Sequence, residues 1–525
     1  MPKVPPGRAV RNLLAPATRH LIMEKTAVQP IHHVDRLYVI SDLHLGGPPG
    51  FQIFGSSNEL AGLIRLLADR DPGDEVALVI NGDFVDFLAE EDATYFDPHG
   101  AIQKLERIAL KDDTFRAVFE AFPYFLGKER RRLIVNLGNH DLELALPWVR
   151  ERLVQILTGG QSAAPGAHSR LYLVFDGAGV LCSVGGRSVL CLHGNEVDRW
   201  NPANFERIRE IARDVQIGRA VEPWIPNAGS KMVIDVMNPV KREYPFVDLL
   251  KPEQAAVAPT LAACAPQLVG ELDRAKKLAA VALTRLWAGV RKPDGMLGAN
   301  PVEDGAAPSM IDAAHASVAA ASRSRQAALQ ARELLLMADD RARHGFTATD
   351  LVAGAEGLQL DAFGALVKWS RKESTSDVLR EALENLDRDR SFDIGERDDT
   401  AVQLDAQVSP DIDVVIAGHT HLERAMRRRN GPGCYFNSGT WARLIRIKAE
   451  VRADPQQFAQ VFAALKRGTM TDLDDAHDLV IKSCTVVVVW RDAEDSVKAE
   501  LRHVKTINGK TELDDDLRAS CMEIR

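Results

Sequence analysis

Four short apolar runs along this chain each stop at a polar motif. They are Leu37-Tyr38-Val39-Ile40, Val76-Ala77-Leu78-Val79-Ile80, Leu133-Ile134-Val135 and Val414-Val415-Ile416-Ala417. Runs of this kind, rich in Val and Ile and without alternation, predict strands buried on both faces. Between the first two, Leu60, Leu63, Ile64 and Leu67 fall on one helical face, and helical periodicity over about 99–127 precedes the third. Strand, motif and helix thus repeat, so each motif stands at the carboxyl end of a buried strand, where open α/β sheets build their ligand sites. The rhythm changes over 170–193 to short β runs with Gly185-Gly186 as a hairpin turn. Further strands around 433–437, 443–448 and 484–490 are expected to finish a second sheet.

The stretch from 201 to 398 reads differently. Leu268, Leu272, Ala275, Ala279, Leu286 and Val290 follow one helical face, residues 309–344 read as a second long helix, and Pro and Gly punctuate 222–252 and 289–308. The expected division is an N-terminal arm at 1–34, a discontinuous α/β domain at 35–200 and 399–525, and a helical insertion at 201–398. The 268–292 helix is cationic, with Arg274, Lys276, Lys277, Arg285, Arg291 and Lys292; its solvated-face reading outweighs contact with an anionic membrane or lipid.

Composition narrows the class. With 46% hydrophobic and 26% charged residues the chain can bury a sizeable core, and its net charge of -9 argues against a general polyanion-binding surface. The six cysteines include no CxxC pair, which suits reduced thiols. Neither a signal-peptide core nor a stretch of ~20 apolar residues is present, so a cytoplasmic protein is expected, with peripheral membrane contact open.

The motifs carry chemistry. Asp42 and His44 stand in Ser41-Asp42-Leu43-His44, Asp83 in Gly82-Asp83-Phe84-Val85-Asp86, and Asn139 in Gly138-Asn139-His140-Asp141. His193 follows in Leu192-His193-Gly194, then His419 and His421 in Gly418-His419-Thr420-His421. Four imidazoles, two carboxylates and one amide oxygen suit a pair of divalent transition metals. Two such ions can hold a phosphoryl group and activate the attacking water. A DxH at a strand end lets both side chains reach one ion, and Asp83 is an anionic candidate for bridging two. His140 and Asp141 beside them suit general acid work on a leaving group. Glycines 82, 138, 194 and 418 let the backbone turn sharply and approach a substrate. Asn195, with Asp198, Arg199 and Trp200, follows His193 and is placed at the substrate mouth. The basic run Lys128–Arg132 reads as a solvated face, whereas Arg427–Arg429 lies nearer the HxH motif, with Arg427 as a substrate contact.

The motif order DxH, GDxxD, GNH(D/E), H, GHxH resembles that of the calcineurin-like metallophosphoesterases, over about 35–200 and 400–450. The resemblance implies an α/β fold, a double β-sheet sandwich flanked by helices, interrupted here by the large helical insertion. It implies that one ion takes Asp42, His44, Asp83 and His421, and the other Asp83, Asn139, His193 and His419. His140 would donate a proton to the leaving oxygen or orient the phosphate, held by Asp141, with Asp86 behind the ligands. The implied reaction is hydrolysis of a phosphodiester or pyrophosphate bond by attack of a metal-bridging hydroxide. Manganese is expected first, with iron, zinc or cobalt also compatible with these ligands.

Ser-Asp-Leu-His-Leu-Gly, Asn-Gly-Asp-Phe-Val-Asp and Gly-His-Thr-His are similar to the UDP-2,3-diacylglucosamine pyrophosphohydrolases of lipid A synthesis, which also carry helices between their last two motifs to shelter acyl chains. That group typically has Arg at the position of His140, and its chains are less than half as long. Ser-Asp-Leu-His-Leu-Gly equally resembles the exonuclease branch related to double-strand-break repair. The expected substrate is a small or lipid-linked nucleotide. A DNA or RNA nuclease, or a protein-binding scaffold with a vestigial metal site, is the alternative.

Overall fold

The computed structural model of this chain describes residues 32–90, 94–198, 203–221, 390–476, 479–517 and 520–524, with isolated positions between 224 and 383. The helices expected over 268–292 and 309–344 lie outside the described residues, as does most of the 201–398 stretch.

The apolar runs do become strands. In chain order these are β1 (His32–Val34), β2 (Arg36–Ile40), β3 (Val76–Asn81), β4 (Arg131–Asn136), β5 (Leu171–Val174), β6 (Val180–Val184) and β7 (Arg187–Cys191). Beyond residue 398 come β8 (Val414–Ala417), β9 (Glu423–Arg427), β10 (Cys434–Ser438), β11 (Leu444–Ile445), β12 (Val480–Ile481) and β13 (Thr485–Arg491). The long hairpin β14 (Val497–Ile507) and β15 (Lys510–Asp514), with β16 (Met522–Ile524), completes them. One sheet runs β15-β14-β13-β2-β3-β4-β5, with β16 on β14; the other runs β1-β6-β7-β8-β10-β9.

The two-residue period of a strand explains the layering. Leu37 and Val39 of β2, Ala77 and Val79 of β3 and Ile134 of β4 face Val184, Val189, Ile416 and Phe436 of the second sheet. The alternate residues Tyr38, Ile40, Leu78, Ile80, Leu133 and Val135 pack outward. They meet the apolar faces of α1 (Ser57–Asp69), with Leu60, Leu63, Ile64 and Leu67, and of the helix Asp113–Leu126, with Phe115, Phe119 and Phe122. On the far side, Val415, Ala417 and Tyr435 are covered by Ala401 and Leu404 of the helix Asp399–Gln407. The layers are therefore helix, sheet, sheet, helix. Each such buried aliphatic contributes about 1.5–3 kcal/mol, so two docked sheets hold the strand ends rigidly in register.

Three expectations are corrected. The 484–490 run joins the first sheet, as β13 antiparallel to β2, and does not finish the second. Val486 and Val488 lie in the outer core while Val487 and Val489 lie between the sheets, so the run is apolar on both sides and carries no mark of which sheet it enters. Of the span expected as an N-terminal arm, His32–Val34 is instead a strand paired parallel with β6, and residues 1–31 lie outside the described residues. The 443–448 run gives β11, which pairs with β12 in a separate two-stranded sheet and does not enter the second one; three helices follow it over 449–475. The central one, Pro455–Arg467, begins where Asp454 accepts from the Gln456 and Gln457 amides and ends at Gly468 with φ 73°, the usual start and stop chemistry. Phe458, Val461 and Leu465 share an apolar cluster with Phe246, Leu250, Leu379 and Leu383.

Candidate metal centre

All seven ligand-type residues leave the sheets at carboxyl ends. Asp42 and His44 follow β2, Asp83 follows β3, Asn139 follows β4, His193 follows β7, and His419 and His421 follow β8. The backbone there is not extended: φ is 52° at Asp42, 49° at His44, 50° at Asp83, 70° at His419 and 65° at His421. Non-glycine residues held in the left-handed region cost on the order of 1–3 kcal/mol each and cluster at functional sites. The packed sheets on either side enforce these turns.

The glycines of the motifs make room for the site itself. A Cβ on Gly138 would stand 2.1 Å from Asp83 Oδ1, and one on Gly82, at φ 88°, 2.2 Å from His193 Nδ1. The expectation that they admit substrate is thus revised: what comes close is the ligand set.

Asp83 lies at the centre, with 1% of its surface exposed. Its Oδ2 is 3.6 Å from His44 Nε2 and 3.3 Å from His193 Nε2, and its Oδ1 accepts from the His140 amide at 2.9 Å. Burial pushes the Asp83 carboxyl up, but the imidazoles of His193, His140 and His44 outweigh it and hold the group well below its usual range. Burial likewise pushes His193 down, yet Asp83 and Asp42 raise it well above an ordinary imidazole. Asp42 is raised, by burial first and then by Asp83. His421 is held low by burial, by His44 and by the cation of Lys251.

Several rings have one nitrogen already committed. His193 Nδ1 donates to the Asn81 carbonyl at 2.8 Å and His44 Nδ1 to Asp86 Oδ2 at 3.1 Å, which leaves both Nε2 atoms facing Asp83. Fixing the outer nitrogen in this way orients a ring for metal ligation. Such a set fits divalent cations. His44 Nε2 and His421 Nε2 face each other at 3.1 Å, and the buried Oδ1 of Asn139 has no hydrogen-bond partner among the described residues. Among those residues, Asp42, His44 and His421, then His44, Asp83 and His140, then Asp42, Asp83 and His193 form groups whose ligand atoms lie within 4.8 Å of one another.

His140 and Asp141 separate. His140 Nδ1 lies 3.2 Å from Asp86 Oδ2. Asp141 instead accepts from the Phe84 amide at 2.8 Å and the Gly138 amide at 2.7 Å, tying the β3 and β4 loops together. The expected support of His140 by Asp141 is therefore corrected: Asp86 provides it, and serves His44 as well. Burial and then Asp83 push Asp141 up to about 7.

The remaining expectations fare differently. Asn195 is 3% exposed, inside the turn Asn195–Val197. Arg427 does not reach the site: it ends β9, six residues or ~20 Å of strand beyond His421, and donates to Cys434 Sγ and the Glu523 carbonyl. Arg428 is buried and spent on Asp405 and the carbonyls of Val408, Ser409 and Ile412. The Lys128–Arg132 run lies at the opposite strand end, where Arg131, 1% exposed, holds the carbonyls of Ala68, Arg70 and Asp74. Sequence reasoning missed Glu196, which accepts from the His193 and Gly194 amides, and Lys251, which docks through its amide on Ile445.

Glu143 gives a prediction separate from catalysis. It is 1% exposed, accepts from the Asp97 amide at 3.1 Å, and is pushed by burial up to about 8. The unfolded chain loses this proton near the ordinary value of 4.5 while the folded chain keeps it, so stability falls as pH rises from about 4.5 to about 8 and then levels. The full penalty is on the order of 5 kcal/mol at most. Glu143→Gln should flatten that decline, read as Tm across pH 5–9; parallel wild-type and variant curves would refute it.

Residues 35–249 match the family model of calcineurin-like phosphoesterases. That family consists of metal-dependent phosphoric ester hydrolases that typically bind two divalent ions, and over residues 35–249 the chain carries a domain of that kind. The matched span holds five of the seven ligand-type residues; His419 and His421 lie beyond it and are delivered to the same place by β8. No curated protein matches the chain. Among the described residues, no helix is long and apolar enough to cross a membrane.

Proposed function

We propose that this chain hydrolyses a phosphodiester or pyrophosphate bond in a small or lipid-linked nucleotide. The observation that carries the reading is the gathering of Asp42, His44, His193 and His421 with the Asp83 carboxylate, and of His140 beside them. Asp42, His44, Asp83 and His421 would hold one divalent ion, and Asp83, Asn139, His193 and His419 the other. When bound, the pair supplies charge for the phosphoryl oxygens and a low-pKa water.

The chain's own residues do the rest. Asp86 Oδ2 stands 3.2 Å from His140 Nδ1, which places the other ring nitrogen on the side away from that carboxylate, the side from which His140 would serve a leaving oxygen. His140 is 23% exposed at its side chain while His44 behind it is 2% exposed, which suits a proton donor at the mouth and ligands beneath. Lys251 adds a cation near His421 and suits an anionic substrate. Among the described residues the expected contact Arg427 and its neighbour Arg428 are engaged elsewhere, which supports a small substrate over DNA or RNA.

The test is a panel at fixed Mn²⁺: bis-p-nitrophenyl phosphate, p-nitrophenyl phosphate, UDP-linked sugars, cyclic nucleotides, and single- and double-stranded DNA. Preference for a nucleotide pyrophosphate or small diester supports the reading. Faster cleavage of DNA, with steep salt dependence, replaces it with a nuclease.

A further inference from the structure

The segment from His193 to Asp198 is a single braced turn. The carboxylate of Glu196 accepts from the amides of His193 and Gly194, at 3.1 and 2.6 Å, and the Asp198 amide donates to the Asn195 carbonyl at 3.1 Å. Gly194, at φ 119°, lets this turn lie against the HxH loop: a Cβ there would stand 3.1 Å from His419 Cβ and 3.4 Å from the Gly418 carbonyl oxygen. From the end of the turn, Asp198 Oδ2 reaches His419 Nε2 at 2.8 Å. The His419 amide in turn donates to both oxygens of Asp42 at 3.0 Å.

Resting on the metal-centre reading, we infer that Asp198 is a positioning residue for His419 and selects its Nδ1 as the ligand atom. A carboxylate can only accept at Nε2, so Nε2 carries the proton and the lone pair is left on Nδ1. This is the reverse of His193 and His44, whose Nδ1 atoms are the committed ones. A charged partner of this kind also raises the basicity of the ligating nitrogen. The turn therefore acts twice on one ion: it presents His193 and fixes His419. It reaches the other ion, expected at Asp42, His44 and His421, through the shared Asp83 and through the His419 amide on Asp42, a backbone contact that does not depend on the Asp198 carboxylate.

The effect is asymmetric and can be measured without turnover. Metal-free protein is titrated with Mn²⁺ by calorimetry, with bound Mn²⁺ counted by electron paramagnetic resonance. In Asp198→Ala one of two ions should weaken by about 10–100-fold while the other stays within about threefold. Asp198→Asn keeps an oxygen acceptor without the charge and should fall between; it decides the matter if the alanine variant does not fold. Equal weakening of both ions, or of neither, overturns the assignment while leaving the metal centre standing. A wild-type chain that binds no Mn²⁺ overturns both.

Discussion

Asp83→Asn is expected to fold and to lose turnover by at least about 10³-fold. The substitution keeps shape and removes one charge from the point where His44 and His193 converge. Charge neutralisation at such a site is worth several kcal/mol, and each 1.36 kcal/mol is tenfold in rate. Because Asp83 faces ring nitrogens expected to serve different ions, the variant should also lose affinity for both. The measurements are kcat/KM on bis-p-nitrophenyl phosphate and Mn²⁺ content after gel filtration. Activity within tenfold of wild type would mean that the reaction does not run through this cluster.

The second large effect separates three neighbouring residues. His140→Ala should cost about 10²–10⁴-fold in kcat, the usual worth of a positioned proton donor, with Mn²⁺ affinity nearly kept. Asp86→Asn should reduce both kcat and affinity, since one carboxylate serves His140 and His44, at 3.2 and 3.1 Å. Asp141→Asn should instead move thermal stability, because its oxygens hold backbone amides of Phe84 and Gly138. A leaving group of low pKa, such as p-nitrophenolate, should rescue His140→Ala and not Asp86→Asn. If Asp141→Asn lowers kcat as much as His140→Ala at unchanged stability, the division of roles is wrong.

The legible part of this molecule was the part written in local chemistry. A buried run followed by an Asp or His identifies a strand and what stands at its end, and β2, β3, β4 and β8 follow that rule. Pairing was not legible: adjacency in the chain made Asp141 the natural partner of His140, but the turn after Asn139 sends Asp141 inward and leaves the ring to Asp86, 54 positions earlier. Glu196 and Asp198 act through backbone amides and a ring that only the docked second sheet brings near. Arg131 and Arg428 looked like solvated or substrate-facing charges because a basic run does not reveal that one member points inward at carbonyls.

The division of ligands around the insertion has a consequence for biosynthesis. Asp42, His44, Asp83, Asn139 and His193 precede the insertion, and His419 follows His193 by 226 positions. At ribosomal speeds of about 5–20 residues per second, roughly 10–45 s separate the emergence of the two groups. During that interval β7 has no β8 beside it, and five of the seven ligand-type residues wait for the other two. An ion arriving in that interval would meet an incomplete set of ligands, so the metal content of the purified protein is expected to vary with the ions present during its synthesis.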